Sequence, residues 1–233
     1  MVITPEQKRV IDSVLSIFET GRVPTTASYQ TCTILSDGAG ISYGKHQATD
    51  RAGSLDKIVD LYIKKGGAQS QALTAYVPRL TLNETAKLDP KNPPAWAKDL
   101  INILKEAGKD PLMQEAQDSV FDANYFMPAV NHAKDIGLTT ALGLLVIYDT
   151  CIHSGPGRVA THRAAFPEKS PKNGGDEKAW IKAYLNARRA WLAGNSNPLV
   201  QKTVYRQDAI LDIIKADNWN LNPPLTIRGV KIT

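Results

Sequence analysis

The sequence predicts a mainly helical fold with one small β-hairpin. Three observations carry that prediction. Apolar residues recur at helical spacing in several separate stretches. One segment, 137–153, is apolar nearly all round, which suits a helix buried at the centre of a fold. A single region around residues 28–46 combines β-forming residues with closely spaced glycines. The 233 residues are 42% hydrophobic, enough to bury a substantial core. No Gly/Ser linker, low-complexity tract or internal repeat interrupts them, so 1–233 reads as one domain.

The first helix begins cleanly. Thr4 suits an N-cap, Pro5 the first helical position, and Gln7 completes a capping box. Val10, Ile11, Val14, Leu15, Ile17 and Phe18 make the apolar face, and Gly21 is a natural stop. Glu19 follows Leu15 by one turn, so it lies beside that face rather than opposite it. Residues 28–36 read as a strand, "SDGAG" as a turn, and "ISYGKH" as the returning strand. From about residue 52 the pattern is helical. "GSLDKIVDLYIKK" is amphipathic, "PPAWAKDLINILKEAG" has proline before it and glycine at its end, and "PLMQEAQDSVFDANYFM" continues the series. The apolar segment 137–153 comes next. "DEKAWIKAYLNARRAWLAG" and "PLVQKTVYRQDAILDIIKA" are two further amphipathic helices. The tail "NWNLNPPLTIRGVKIT" has little helical character and is expected to wrap the surface as extended chain.

Several function classes fall away. The most apolar run, "TTALGLLVIYDTCI", is too short for a membrane span and contains an acid, so a soluble chain is expected. The N-terminus shows no basic stretch followed by an apolar one; a chain acting outside the cytoplasm would have lost its signal or left by a route needing none. Cys32 and Cys151 cannot build a disulfide framework or a cysteine zinc site, and are expected as buried thiols. His153 and His162 are poorly spaced for a metal and no H-E-x-x-H occurs, so neither metal nor cofactor is expected. There is no G-x-S-x-G elbow, and "GAGISYG" follows a strand too short and polar for a dinucleotide fold. The net charge of +5 brings no basic stripe interleaved with aromatics, so nucleic acid is not an expected partner.

Two carboxylates stand apart from the rest of the N-terminal third. Glu19 closes an apolar helix; Asp37 sits in a glycine turn eighteen positions later. A carboxyl beside an apolar face is partly desolvated, whereas one in an open turn meets water and backbone donors. Glycoside hydrolysis needs such a pair, one group protonated and one ionised. Taken alone the two residues are unremarkable, since helix-end glutamates are usually solvated and Asp-Gly is a common turn dipeptide.

Their context adds to this. "FETG" followed by "DGAGIS" resembles the chitosanases of glycoside hydrolase family 46, in which a glutamate closing an N-terminal helix is followed at this spacing by an aspartate in a D-G-x-G-x-[ST] hairpin. "LNPPLTIRGVKI" is similar to the family's closing segment. The resemblance implies a mainly α, lysozyme-like two-lobed fold with a central buried helix and a small hairpin lobe. It implies inverting catalysis, with Glu19 as general acid, Asp37 as general base and Ser42 as the hydroxyl that helps hold the attacking water. Asp149, buried in the central helix, demands a cationic partner. Arg188 and Arg206 match arginines that pair with a buried aspartate behind the acid in the family, and would position Glu19; a purely structural ion pair is the other reading. Tyr43, Lys45 and His46 extend the hairpin and are candidate sugar contacts.

The chain also departs from the pattern. Where the family has an aspartate that contacts the glucosamine amine, this sequence has Ser54; Asp56 is near but on another helix face. Ala39 replaces a larger polar residue of the hairpin. Together with the positive charge this points to peptidoglycan as the polymer cut at its β-1,4 bonds, with chitosan as the alternative. A catalytically silent carbohydrate-binding module is a further alternative, against which the joint presence of Glu19, Asp37 and Ser42 argues. A monomer acting extracytoplasmically is expected, with an inhibitory immunity protein as partner were it an antibacterial effector.

Overall fold

The computed structural model describes residues 2–233. In chain order the elements are α1 (Pro5–Thr20), β1 (Cys32–Ile34), β2 (Ile41–Tyr43), β3 (Ala48–Thr49), α2 (Leu55–Lys64), α3 (Ser70–Thr74), α4 (Val77–Thr81), α5 (Ala95–Ala107), α6 (Pro111–Phe121), α7 (Met127–Ile136), α8 (Ala141–Ser154), α9 (Arg158–Arg163), α10 (Glu177–Ala193), α11 (Pro198–Gln201), α12 (Tyr205–Lys215), β4 (Leu225–Ile227) and β5 (Val230–Ile232). They fall into two compact units, Met1–Val23 with Tyr125–Thr233, and Pro24–Asn124. No helix of the described residues is long and apolar enough to cross a membrane.

The first unit is organised by α8, the helix expected from its composition. Every residue from Ala141 to Cys151 is buried. Leu142, Leu144, Leu145, Val146 and Ile147 are fully so, and at roughly 1.5–3 kcal/mol each they supply much of the unit's stabilisation. Thr140 caps the helix by accepting the Gly143 N–H, and Thr140 is itself held by Glu177 at the start of α10. Helix α1 forms as the sequence dictates, with the Thr4–Gln7 capping box and its six predicted apolar residues buried; Gly21 closes it at φ 77° and returns its N–H to Ile17. Helix α10 contributes Trp180, Ile181, Tyr184, Leu185, Arg188 and Leu192 to the interior.

The tail departs from expectation. Instead of plain extended chain, β4 and β5 form an antiparallel hairpin in the register Leu225↔Ile232, Thr226↔Lys231 and Ile227↔Val230. Ile227 and Ile232 are buried on its inner face. The two-residue turn is Arg228-Gly229, both at positive φ, and arginine is an uncommon choice there. Its guanidinium stacks over the Tyr205 ring at 3.9 Å, which accounts for the residue at that position.

The second unit packs a three-stranded antiparallel sheet, order β1-β2-β3, against α2, α5 and α6. The expected hairpin is present, but residues 26–30 form a 3-10 turn rather than strand, and β3 adds a third strand. As the middle strand, β2 is buried on both faces. Ile41, Tyr43, Leu55, Val59, Tyr62, Leu73, Leu100, Leu104 and Met113 are core residues here.

Candidate active site

In the first unit the sequence-predicted charges converge. Glu19 is the penultimate residue of α1, placed there because Gly21 stops the helix. Its Oε1 accepts from Arg206 Nη1 at 2.6 Å. The same guanidinium turns its other face to Asp149, donating from Nε at 2.8 Å and from Nη2 at 2.5 Å to Oδ1. Arg188 donates to Oδ2 of Asp149 and, at 3.3 Å, to its carbonyl. Gln207 adds a bond to Oδ2 at 3.3 Å. Asp149 and Arg188 are 0% exposed and Arg206 2%, so all three charges are compensated by each other rather than by water. Burial alone would push the Asp149 carboxyl up, but the Arg188 and Arg206 cations hold it well below the usual range. The adjacent Arg189 points outward to Asp208.

Glu19 itself is not desolvated as the apolar stripe suggested. Its side chain is 44% exposed, because at the last turn of α1 the stripe ends at Phe18. What distinguishes it is the Arg206 contact. That contact is braced by Tyr205, whose hydroxyl donates to the Phe18 carbonyl at 2.7 Å, and by the Arg206 guanidinium over the Phe18 ring at 5.0 Å. His153 shares this neighbourhood. Burial, then the cations of Arg206 and Arg188, lower its pKa to about 4, so its ring is neutral at pH 7.

In the second unit Asp37 occupies the exposed turn between β1 and β2. Its Oδ1 accepts the Ala39 N–H at 2.9 Å, a local bond that fixes the side chain. Ser42 lies in the middle strand opposite Thr33 and Thr49 and is 5% exposed. Three expected sugar contacts read differently. Tyr43 is a correction: it is 1% exposed and its hydroxyl donates to the Leu104 carbonyl at 2.7 Å, so it belongs to the core and presents nothing to a sugar. Lys45 and His46 are part-buried and converge on Asp118 at 3.1 and 3.0 Å. His46 also stacks on Phe121, ring centroids 3.7 Å apart. Ser54 ties its hydroxyl to both the N–H and the C=O of Thr49, closing the turn that precedes α2.

Sequence reasoning missed Asp118, which also accepts from Tyr29 at 2.7 Å. Its partners are 72 to 89 positions away, and nothing local marks it. Gln207 was legible in principle, being the neighbour of Arg206 in an otherwise apolar helix face. Among the described residues no group of three or more His, Cys, Asp or Glu side chains could hold a metal. Both cysteines are free and buried, and burial pushes each thiol up to about 12.

Comparison with known proteins follows the same lines. The model of glycosyl hydrolase family 46 matches residues 13–225. The chain is 31% identical over 236 residues to a chitosanase of Bacillus subtilis strain 168, covering 96% of this chain and 82% of that protein. It is similar in structure to a glutamate-to-alanine mutant chitosanase of Bacillus subtilis MY002 complexed with 6 GlcN, at TM-score 0.78 and 29% identity, covering 97% of this chain and 96% of the other. It is also similar to a family 46 chitosanase of Gynuella sunshinyii in complex with chitotetraose, at TM-score 0.79 and 26% identity, covering 99% and 98%.

Proposed function

The chain belongs to glycosyl hydrolase family 46 and is a glycoside hydrolase, and from that premise we propose that it cuts the β-1,4 bonds of chitosan with inversion. The observation that carries the catalytic reading is the bridge Glu19–Arg206–Asp149–Arg188 in the first unit. It gives the acid a fixed orientation and a cation to meet the carboxylate that remains once its proton is transferred. In this scheme Glu19 protonates the glycosidic oxygen. Asp37, open to solvent, takes a proton from the attacking water, and Ser42 helps to hold that water. The chemistry asks for roughly 6.5–9.5 Å between the two carboxyl groups, enough for one water. Two carboxyls and a water suffice, and no cofactor enters.

The substrate reading is supported by the names of the relatives, which are chitosanases, two of them solved with glucosamine oligomers. This replaces the expectation of peptidoglycan, which leaned on net charge and on Ser54 and is not supported by the relatives named above. The immunity-protein partner fell with that reading. The whole chain acts as one catalytic domain, as a monomer outside the cytoplasm.

The test is incubation with chitosan, product analysis by mass spectrometry and proton NMR of the first-formed anomer, with Glu19→Gln and Asp37→Asn alongside. Soluble glucosamine oligomers in the α form are expected from the wild type, and each variant should lose roughly 10²–10⁴-fold in turnover. β-Anomers would refute inversion. Turnover surviving in either variant would refute its assignment. Release of muropeptides from peptidoglycan, and nothing from chitosan, would refute the substrate.

A further inference from the structure

The Asp37 turn is exposed, yet a catalytic base must be held to a fraction of an ångström. Within the turn, Leu35 N–H bonds the Gly40 carbonyl at 2.9 Å and Asp37 bonds Ala39. These bonds shape the turn but do not fix it to the rest of the unit. That task falls to groups distant in sequence. The Ile41 N–H, at the start of β2, donates to Oγ1 of Thr85 at 3.1 Å. The Thr85 hydroxyl donates onward to Oδ2 of Asp50 at 2.7 Å, and the same oxygen accepts the Thr85 N–H at 3.1 Å. Arg51 N–H then bonds the Ala39 carbonyl at 3.3 Å. Gly40 shows how closely the turn seats on this group: at φ 83°, a Cβ there would lie 2.4 Å from Thr85 Oγ1 and 2.8 Å from Ala86 N.

Asp50 and Thr85 are both 0% exposed. Asp50 uses only one carboxyl oxygen, and its Oδ1 is buried without a hydrogen-bond partner, as is Oδ1 of Asp56. A buried carboxyl left half-satisfied is a costly way to brace a loop. It is explained when the hydroxyl it orients must point in one direction only, with its proton towards Asp50 and its lone pair towards Ile41. We propose that Asp50 and Thr85 are positioning residues for catalysis, a two-link relay that sets the Asp37 turn at the start of β2. The proposal rests on Asp37 being the general base, as argued above.

Thr85→Val keeps the shape of the side chain and removes the relay; Thr85→Ser keeps the relay. With chitosan oligomers as substrate, Thr85→Val should lower kcat by roughly 10–100-fold, the cost of a misplaced group, with KM within about twofold of wild type. Thr85→Ser should restore kcat to within about threefold. A folded Thr85→Val enzyme with wild-type kcat would overturn the proposal, as would a loss that serine fails to rescue. Should the valine variant not fold, Asp50→Asn against Asp50→Ser decides. Asparagine keeps an acceptor for the hydroxyl and should stay near wild type, serine is too short and should not, and equal kcat in the two overturns the relay. Asp37→Asn run in parallel separates the two failures. If it is inactive while Thr85→Val is not, only the relay fails; if it is active, the base assignment has failed and the relay with it.

Discussion

Replacing Asp149 with asparagine removes one negative charge from a site where three charged side chains are 0%, 0% and 2% exposed. Both guanidiniums keep their burial. Arg206 retains Glu19 as a counter-charge, and Arg188 retains none among the contacts described above. Breaking a fully buried ion pair from one side costs about 3–5 kcal/mol. At about 2–4 °C per kcal/mol for a chain of this size, the melting temperature should fall by roughly 6–20 °C. The loss depends on pH with a definite sign. The Asp149 carboxyl is held below its ordinary value in the folded state, so its stabilisation is complete above about pH 4. It is lost as pH falls through the lower, folded value. Asparagine has no such loss, and the gap between wild type and variant should therefore narrow in acid. Thermal melts by circular dichroism from pH 2.5 to 7 measure it. A triple variant, Asp149→Leu with Arg188→Met and Arg206→Met, separates energy from positioning. Apolar groups of similar volume should recover much of the lost stability, while turnover stays low because Glu19 has lost Arg206. An Asp149→Asn melt within about 3 °C of wild type at neutral pH would refute the reasoning. So would a gap that widens in acid, or a triple variant as active as the wild type.

Gly40→Ala forces a Cβ to within 2.4 Å of Thr85 Oγ1 at a positive φ, and should cost at least about 1 kcal/mol, read as a lower urea midpoint together with reduced kcat; an unchanged midpoint would mean the turn adapts freely. Cys32 and Cys151, buried and titrating near 12, should resist a thiol reagent at pH 8 in the native enzyme and react fully in guanidinium; fast native labelling would contradict their burial. Ser54→Asp places a carboxylate where the family resemblance puts one, and aspartate can still accept the Thr49 N–H that Ser54 now takes. A several-fold lower KM for chitosan is expected, and an unchanged KM would remove position 54 from amine recognition.

The parts of the fold legible in the sequence are those governed by local rules. The capping box of α1, its apolar stripe and its glycine stop are encoded within eighteen residues, and the structure reproduces them. Helix α8 was legible from composition alone. The choice of Arg188 over its neighbour follows from phase, since Arg188 lies four residues from both Tyr184 and Leu192, which are buried. What was not legible depends on contacts across long separations. Tyr43 reads as a hairpin residue with one open face, but helices distant in sequence cover it, and its hydroxyl donates to the Leu104 carbonyl of α5, 61 positions away. Thr85 reaches the hairpin from 44 positions away. The β4–β5 hairpin hid behind an Arg-Gly turn whose justification, Tyr205, lies outside the local window.

Net charge is a poor guide to the substrate, for a physical reason. A net charge of +5 weighs every lysine and arginine alike, whereas a bound polymer responds to the field within about 8–10 Å of where it lies. Pairing inside the chain takes up carboxylates as well as cations and so leaves the excess of +5 unchanged, but it decides where each charge is held. Arg188 and Arg206 are buried against Asp149, Lys45 faces Asp118, Arg9 faces Glu6 and Arg189 faces Asp208. Meanwhile the two acids proposed for the reaction are accessible, Glu19 at the surface end of α1 and Asp37 in an open turn. A polycationic substrate is compatible with a basic protein where accessible carboxylates face the polymer, whatever the sign of the whole chain. The whole-chain sign therefore speaks to solubility and encounter, and the choice of polymer is made by the few carboxylates that it can touch.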